Sequence, residues 1–269
     1  MFEACEPQTC GNGANISYPF HIRGKQNSFC GLADFELTCG NNGFPILNLV
    51  DTDYTIQTIF YNNHSLRVSN PVFLQPNASS CFGRTRNLTV AKFRFRLAPN
   101  QRQVFLIYGC HLEALPEGLQ ERRIGCDAGN KTTSVLGLDA KEDQNLRYAM
   151  ENCEGGMVNA AVEDTNGGIT EALGKGLLLI WDATNCSQCI RSGGRCGFDR
   201  DMYAFRCYCP DRPHAVRCVT GWMAQQGLGL SYRQLMRNKA PAGSSAEDHR
   251  SVAIDPQPQV MEAPRLAPP

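Results

Sequence analysis

Fourteen cysteines in 269 residues constrain this chain more than any other feature. They stand at Cys5, Cys10, Cys30, Cys39, Cys81, Cys110, Cys126, Cys153, Cys186, Cys189, Cys196, Cys207, Cys209 and Cys218. An even set spread along a chain suits an oxidising compartment, where each bridge that closes a loop stabilises by roughly 2 to 5 kcal/mol. Six Asn-x-Ser/Thr triplets, beginning at Asn15, Asn63, Asn77, Asn87, Asn130 and Asn185 with no proline in the middle, are glycosylation acceptors and agree with secretory passage. Only Met1 to Ala4 precede the first cysteine, so no charged start, apolar run or cleavage site of a signal peptide is visible. The chain reads as beginning at a mature or truncated end. Covalent crosslinks, rather than a large apolar interior or a bound ion, are expected to fix its shape.

Other sulfur chemistry fits less well. Cys186-x2-Cys189 with Cys207-x-Cys209 offers four zinc ligands, but the second pair has one intervening residue where a zinc knuckle has two to four. A redox reading of Cys186-Ser-Gln-Cys189 needs a βαβ setting and a helix starting at the first cysteine, whereas the following "IRSGGRCG" reads as turns. Crosslinks fit best, with zinc and redox as alternatives, and no metal or cofactor is expected. The last six cysteines follow C-x2-C-x6-C-x10-C-x-C-x8-C, which resembles an epidermal-growth-factor-like module with a short first gap. That analogy implies bridges 186 to 196, 189 to 207 and 209 to 218, one of fifteen possible pairings.

Short β-type segments separated by Gly, Asn and Pro dominate the first 218 residues. The clearest are "YTIQTIFY" (54–61), "LTVAKFRFRL" (88–97), "QVFLIYG" (103–109), "MVNAAV" (157–162) and "LLLIW" (177–181). A helix is expected over "KEDQNLRYAMENC" (141–153), with Leu146 and Met150 on one face, and Trp181 is expected in the core. "DAGNKTTS" (127–134) is polar and turn-forming and suggests a boundary near 127–135. The fold class is therefore mostly β and disulfide-rich: two small cysteine-rich β modules, 1–130 and 131–218, with a growth-factor-like C-terminal part. Beyond them, 219–269 reads as a short helix around Leu230, Leu235 and Met236 and a proline-rich tail too poor in apolar groups to order itself. No stretch approaches the roughly 20 apolar residues that cross a bilayer. Twenty-six basic residues balance 26 acidic ones, which gives no reason to expect nucleic acid.

Several motifs converge on one known pattern. "CEPQTCGNGANISYPFHI" (5–22), "CGLADFELTC" (30–39), "FPILNL" (44–49) and "YTIQTIFYNNHSLRV" (54–68) resemble the galacturonan-binding module of plant wall-associated and leaf-rust-resistance-like receptor kinases. From Cys153, "CEGGMVNAAV", "ALGKGLLLIWDATNCSQCIRSGGRCGFD" and "FRCYCPD" are similar to the cysteine-rich module that follows it. Ala33 and Asp34 stand where the family often has Pro and Gly, and Gly109 replaces a common Asn, changes expected to alter turns only. The resemblance implies an extracellular or cell-wall setting, family members that cross the plasma membrane once, and an acidic polysaccharide partner, homogalacturonan or pectin. It also implies a serine/threonine kinase elsewhere in such proteins. Here "GLGLSY" (227–232), "VAID" (252–255) and "HRS" (249–251) lack the kinase residues, and "GGITEALGKG" (167–176) fails as a phosphate loop, so this chain is not expected to be an enzyme.

A polymer of galacturonate carries a carboxylate on each sugar, so complementary charge matters. No acidic residue lies between Asp53 and Glu113, whereas Arg67, Arg84, Arg86, Lys92, Arg94, Arg96 and Arg102 all do. In "AKFRFRL" strict alternation puts Ala91, Phe93, Phe95 and Leu97 on one face and Lys92, Arg94 and Arg96 on the other, with same-face neighbours roughly 6.5 to 7 Å apart. Such a ladder suits a linear polyanion, since a guanidinium pairs bidentately with a carboxylate. Equally, it is the solvated side of an amphipathic strand. Arg84, Arg86, Lys92, Arg94 and Arg96 are the candidate glycan contacts, with Tyr18 and Phe20 as sugar-stacking candidates that can instead be structural. Two other function classes stay in view. One is a peptide or co-receptor docking on 153–218. The other is a hydrolase using Asp51 with Asp53 or Glu142 with Asp143, which is disfavoured because acids adjacent in sequence rarely flank a scissile bond. None of the five histidines has metal-ligand spacing.

Overall fold

The computed structural model describes residues 1–50, 52–74, 81–90, 94–164 and 167–219. The expected helix at 223–239 and the tail, together with Asp51, Asn77 and Lys92, lie outside the described residues. Residues 1–219 form one compact unit.

The N-terminal part supplies β1 (His21–Ile22), β2 (Glu36–Cys39), β3 (Pro45–Leu49), β4 (Thr52–Phe60) and β5 (Ser65–Ser69). Next come β6 (Cys81–Phe82), β7 (Phe95–Leu97), β8 (Gln101–Cys110), helix α1 (Glu117–Gln120), β9 (Arg123–Asp127) and β10 (Ser134–Asp139). Helix α2 (Asp143–Asn152), β11 (Met157–Glu163), helix α3 (Ile169–Lys175) and β12 (Leu177–Trp181) follow. The chain continues with helix α4 (Ser187–Arg191), β13 (Arg195–Asp199), β14 (Ala204–Tyr208) and β15 (Pro213–His214). Three sheets result: β1-β2-β3-β4-β5-β12-β7, β11-β8-β10-β9-β6 and β13-β14-β15. The fold is mostly β, as the turn-punctuated apolar runs indicate.

The sheets interleave along the chain. Strand β12 returns from beyond residue 131 and inserts between β5 and β7, pairing Leu179 with Leu66 on one side and with Leu97 on the other. A division at residue 130 is thus one of sequence, and the first sheet draws strands from both sides of it.

Among the described residues four apolar clusters fill the interior, the smallest being Cys5, Cys30 and Tyr208. The first sheet buries Phe20, Phe35, Leu37, Leu47, Ile56, Leu66, Leu179 and Trp181, and this core runs on into the cysteines of the third sheet. Strand β8 is covered on both faces. Val104, Leu106 and Tyr108 lie on the face that packs with α3, while Ile107 lies on the face that packs with α1 and α2, which is why its sequence is a nearly unbroken apolar run. The expectation that sulfur replaces an apolar interior is therefore corrected, because crosslinks and a sizeable core act together.

Seven disulfides pair all the cysteines: 5–30, 10–39, 81–126, 110–153, 186–196, 189–207 and 209–218. The last three match the growth-factor analogy. A short helix does begin after Cys186, contrary to the turn reading, but Cys189 bonds Cys207 rather than Cys186. Cys186, Cys189, Cys207 and Cys209 are all bridged, which removes the zinc set.

Two local expectations need correction. Among the described residues of 88–97 only β7 is a strand, and its burial alternation breaks at Leu97, which is 36% exposed while Ala98 is buried. Pairing with β12 covers Phe95 to Leu97, and the Asp182 N–H extends it to the Arg94 carbonyl, while 91–93 lie outside the described residues. In α2, Leu146 and Ala149 are buried while Met150 is 55% exposed, since the contact with β8 covers only one stripe. Gly109 sits at φ +71, a conformation open to Gly and, less easily, Asn. A Cβ there would meet the Gly155 backbone nitrogen at 2.4 Å.

Candidate functional site

The acid-free stretch between Asp53 and Glu113 is not acid-free in space. Arg67 pairs with Glu163 at 2.8 Å, and Arg102 reaches Asp139 at 2.8 Å and Asp164 at 3.7 Å. These acids come from 139–164, so Arg67 joins the two larger sheets and Arg102 braces neighbouring strands within the second. Burial raises the Asp139 carboxyl, but the Lys141 backbone N–H and the Arg102 guanidinium outweigh it and hold the group below the usual range.

Four of the remaining cations, Arg84, Arg86, Arg94 and Arg96, are described, and only Arg96 lies within a strand. Arg84 donates to the Gly155 carbonyl, and Arg86 lines a narrow cleft with Tyr54, Phe73 and Asn159. Arg94 and Arg96 lie at the β7 end of the first sheet, Arg96 exposed and Arg94 half-buried, with no acidic partner among the described residues. A sheet edge is where positive charge also discourages pairing with another strand.

The aromatic candidates separate. Phe20 is fully buried, edge-on to Phe35 and Trp181 at 5.1 Å each, so its ring faces are covered and cannot stack on a sugar. Tyr18 is only 7% exposed, yet it lines a groove of about 260 Å³ together with Tyr61, His64, Trp181 and Thr184. His64 stacks on Trp181 at 5.8 Å and 17°. Burial pushes the Tyr18 hydroxyl up, with Thr184 and the Arg94 charge acting against it. Thr184 is near, but no partner completes a well-aligned hydrogen bond to that hydroxyl among the described residues. Sequence reasoning missed this groove because its walls come from 17–19, 61–64 and 181–190. The one signal pointing there was the set of triplets at Asn15, Asn63 and Asn185.

Two of the acids weighed for hydrolysis, Asp53 and Glu142, hold structural contacts. Asp53 accepts from Asn48 at 2.8 Å, and Glu142 accepts from Asn145 at 2.9 Å and pairs with Arg122 at 3.2 Å. The phosphate-loop-like stretch contains α3, while the kinase-like stretches beyond 220 lie outside the described residues. Among the described residues no helix is long and apolar enough to cross a membrane.

Residues 5–70 match the wall-associated receptor kinase galacturonan-binding family, and residues 125–212 match the wall-associated receptor kinase C-terminal family. The chain is 34% identical over 220 residues to leaf rust 10 disease-resistance locus receptor-like protein kinase-like 1.2 of Arabidopsis thaliana, covering 79% of this chain and 33% of that protein. It is 23% identical over 244 residues to the related kinase-like 2.1, covering 84% and 36%. It is also 25% identical over 206 residues to the putative RING-H2 finger protein ATL21A of the same plant, covering 73% and 52%. The chain thus spans about a third of the length of the first curated relatives it matches. No solved structure matches it.

Proposed function

Because both modules of this chain are those of the extracellular region of wall-associated receptor kinase-like proteins, we propose that it is an extracellular ectodomain that binds acidic cell-wall polysaccharide. The observation that carries this reading is the galacturonan-binding family match over residues 5–70. Homogalacturonan, the main acidic chain of pectin, presents carboxylates at regular intervals. Arg94 and Arg96, which lack acidic partners among the described residues, supply guanidinium groups at the sheet edge, and Arg84 and Arg86 are further candidate contacts, as is Lys92, which lies outside the described residues. Exposed ion pairs contribute about 0 to 1 kcal/mol each, so binding is multivalent, weak per sugar and salt-sensitive. The kinase activity of related proteins lies outside the modules matched here.

Charge reversal tests the reading. Arg94→Glu with Arg96→Glu should markedly reduce retention of the full chain on immobilised polygalacturonate at low salt, and high salt should erase the difference from the parent. Retention unchanged by the pair would reject these two residues as contacts.

A second reading is favoured by one observation. The turn joining β13 to β14 exposes Met202 (67%) and Tyr203 (81%), apolar surface suited to a peptide or co-receptor. Met202→Ser with Tyr203→Ser should leave polysaccharide retention untouched while abolishing any such protein contact.

A further inference from the structure

The groove beside Tyr18 has a neutral lining, although it sits in a protein read as binding a polyanion. Its walls carry hydroxyl, amide, imidazole and aromatic groups, and no Lys, Arg, Asp or Glu. Three glycosylation-type triplets from distant parts of the chain meet there. Ser17 ends the triplet at Asn15, His64 is the middle residue of the triplet at Asn63, and Asn185 itself lines the wall with Ser187. Asn15, Asn63 and Asn185 are all exposed. The Asn185 Oδ1 accepts the Ser187 backbone N–H at 2.8 Å, while its Nδ2 has no hydrogen-bond partner among the described residues.

We propose that Asn185 carries an N-linked glycan whose first, neutral N-acetylhexosamine residues lie in this groove. Attachment replaces one Nδ2–H bond of Asn185 with a bond to the anomeric carbon of the sugar. The pyrophosphate of a lipid-linked oligosaccharide donor leaves with its C–O bond broken and takes up the proton. Once attached, the sugar core has three things to meet. The buried Tyr18 hydroxyl lacks a well-aligned partner, the Thr184 side chain lies beside it, and the Tyr61 and His64 rings give apolar walls of the kind sugar C–H faces pack against. The groove's volume of about 260 Å³ is near the lower end for ligand sites, which accommodates one or two sugar rings rather than a polymer. Lack of cationic lining separates this site from the guanidinium groups at β7, so the two carbohydrate contacts are chemically distinct.

The test uses the full chain secreted from a plant cell, with peptide mass spectrometry and a glycoamidase that cleaves the sugar–asparagine bond. Asn185 should be occupied. Its glycan should be released from the native protein at least tenfold more slowly than the glycan on exposed Asn130, and equally fast after denaturation. Tyr18→Phe, which keeps the ring, should bring the native rate toward that of Asn130, and Ser187→Ala should leave Asn185 bare whereas Ser187→Thr should not. An unmodified Asn185 beside an occupied Asn130, or equal native release rates at the two sites, would overturn the proposal. Neither result depends on polygalacturonate binding.

Discussion

Arg67 of β5 and Glu163 of β11 meet at 2.8 Å across 96 residues of sequence, joining the two larger sheets. Asn100 adds a hydrogen bond to the other carboxylate oxygen at 3.0 Å. The hydrogen bond from Arg67 holds the Glu163 carboxyl below its usual range, with burial acting in the opposite direction. This pair locks the fold and takes one cation out of the apparent polysaccharide-binding set.

Replacing Arg67 with Met should therefore cost about 1 to 2 kcal/mol of stability without weakening retention on polygalacturonate. Urea denaturation reads the first effect and affinity chromatography the second. The native Glu163 carboxyl titrates below the ordinary value of 4.5, so the contribution of the pair is fully present above that pH and is lost as pH falls through the native value. The gap between Arg67→Met and the parent should narrow in acid.

His21 gives the pH range nearer neutrality its own marker. Its ring is 1% exposed, and burial lowers its pKa from 6.5, with Glu36, 3.4 Å away, only partly restoring it. Below pH 6.5 the unfolded chain binds a proton that the folded chain resists, so stability should decline as pH falls from that point. Chemical denaturation at half-unit steps from pH 8 to 5 should show the slope, and His21→Gln should flatten it.

Gly109→Ala should destabilise by about 2 kcal/mol or more, because the position has φ +71 and the new Cβ would press on the Gly155 backbone. Gly83→Ala, with nothing within 4 Å of the added carbon, serves as the control that should change little. Thermal unfolding of the two variants side by side makes the comparison.

Removing one bridge of the third sheet is the matching test of the crosslinks. Cys189→Ser with Cys207→Ser should lower stability by roughly 2 to 5 kcal/mol, since this bridge closes an 18-residue separation and joins α4 to β14. Hydrogen exchange should rise first in 195–208.

Much of this was legible before any coordinates. Strands β4, β8, β11 and β12 announce themselves as apolar runs bounded by turn residues, and α2 as a stretch without alternation. The 186–196, 189–207 and 209–218 bridges follow from cysteine spacing by analogy. What stayed hidden is long-range. No local pattern says that β12 will lie beside β5, that Glu163 will answer Arg67, or that Phe95 to Leu97 will pair with β12. The ladder of basic residues rests on alternation, which is a property of paired strands, and Arg84 and Arg86 lie between strands β6 and β7 rather than in one. Phe20 illustrates the same gap: an aromatic beside proline reads as exposed or buried with equal ease until Phe35 and Trp181 close over it.

The central claim is that carboxylates of a wall polymer meet guanidinium groups of this chain, and neutralising the ligand tests it most directly. Isothermal titration of the full chain with polygalacturonate, and with the same polymer fully methyl-esterified, should show binding to the first that weakens steadily with salt and none to the second. Equal, salt-independent affinity for both polymers would contradict it.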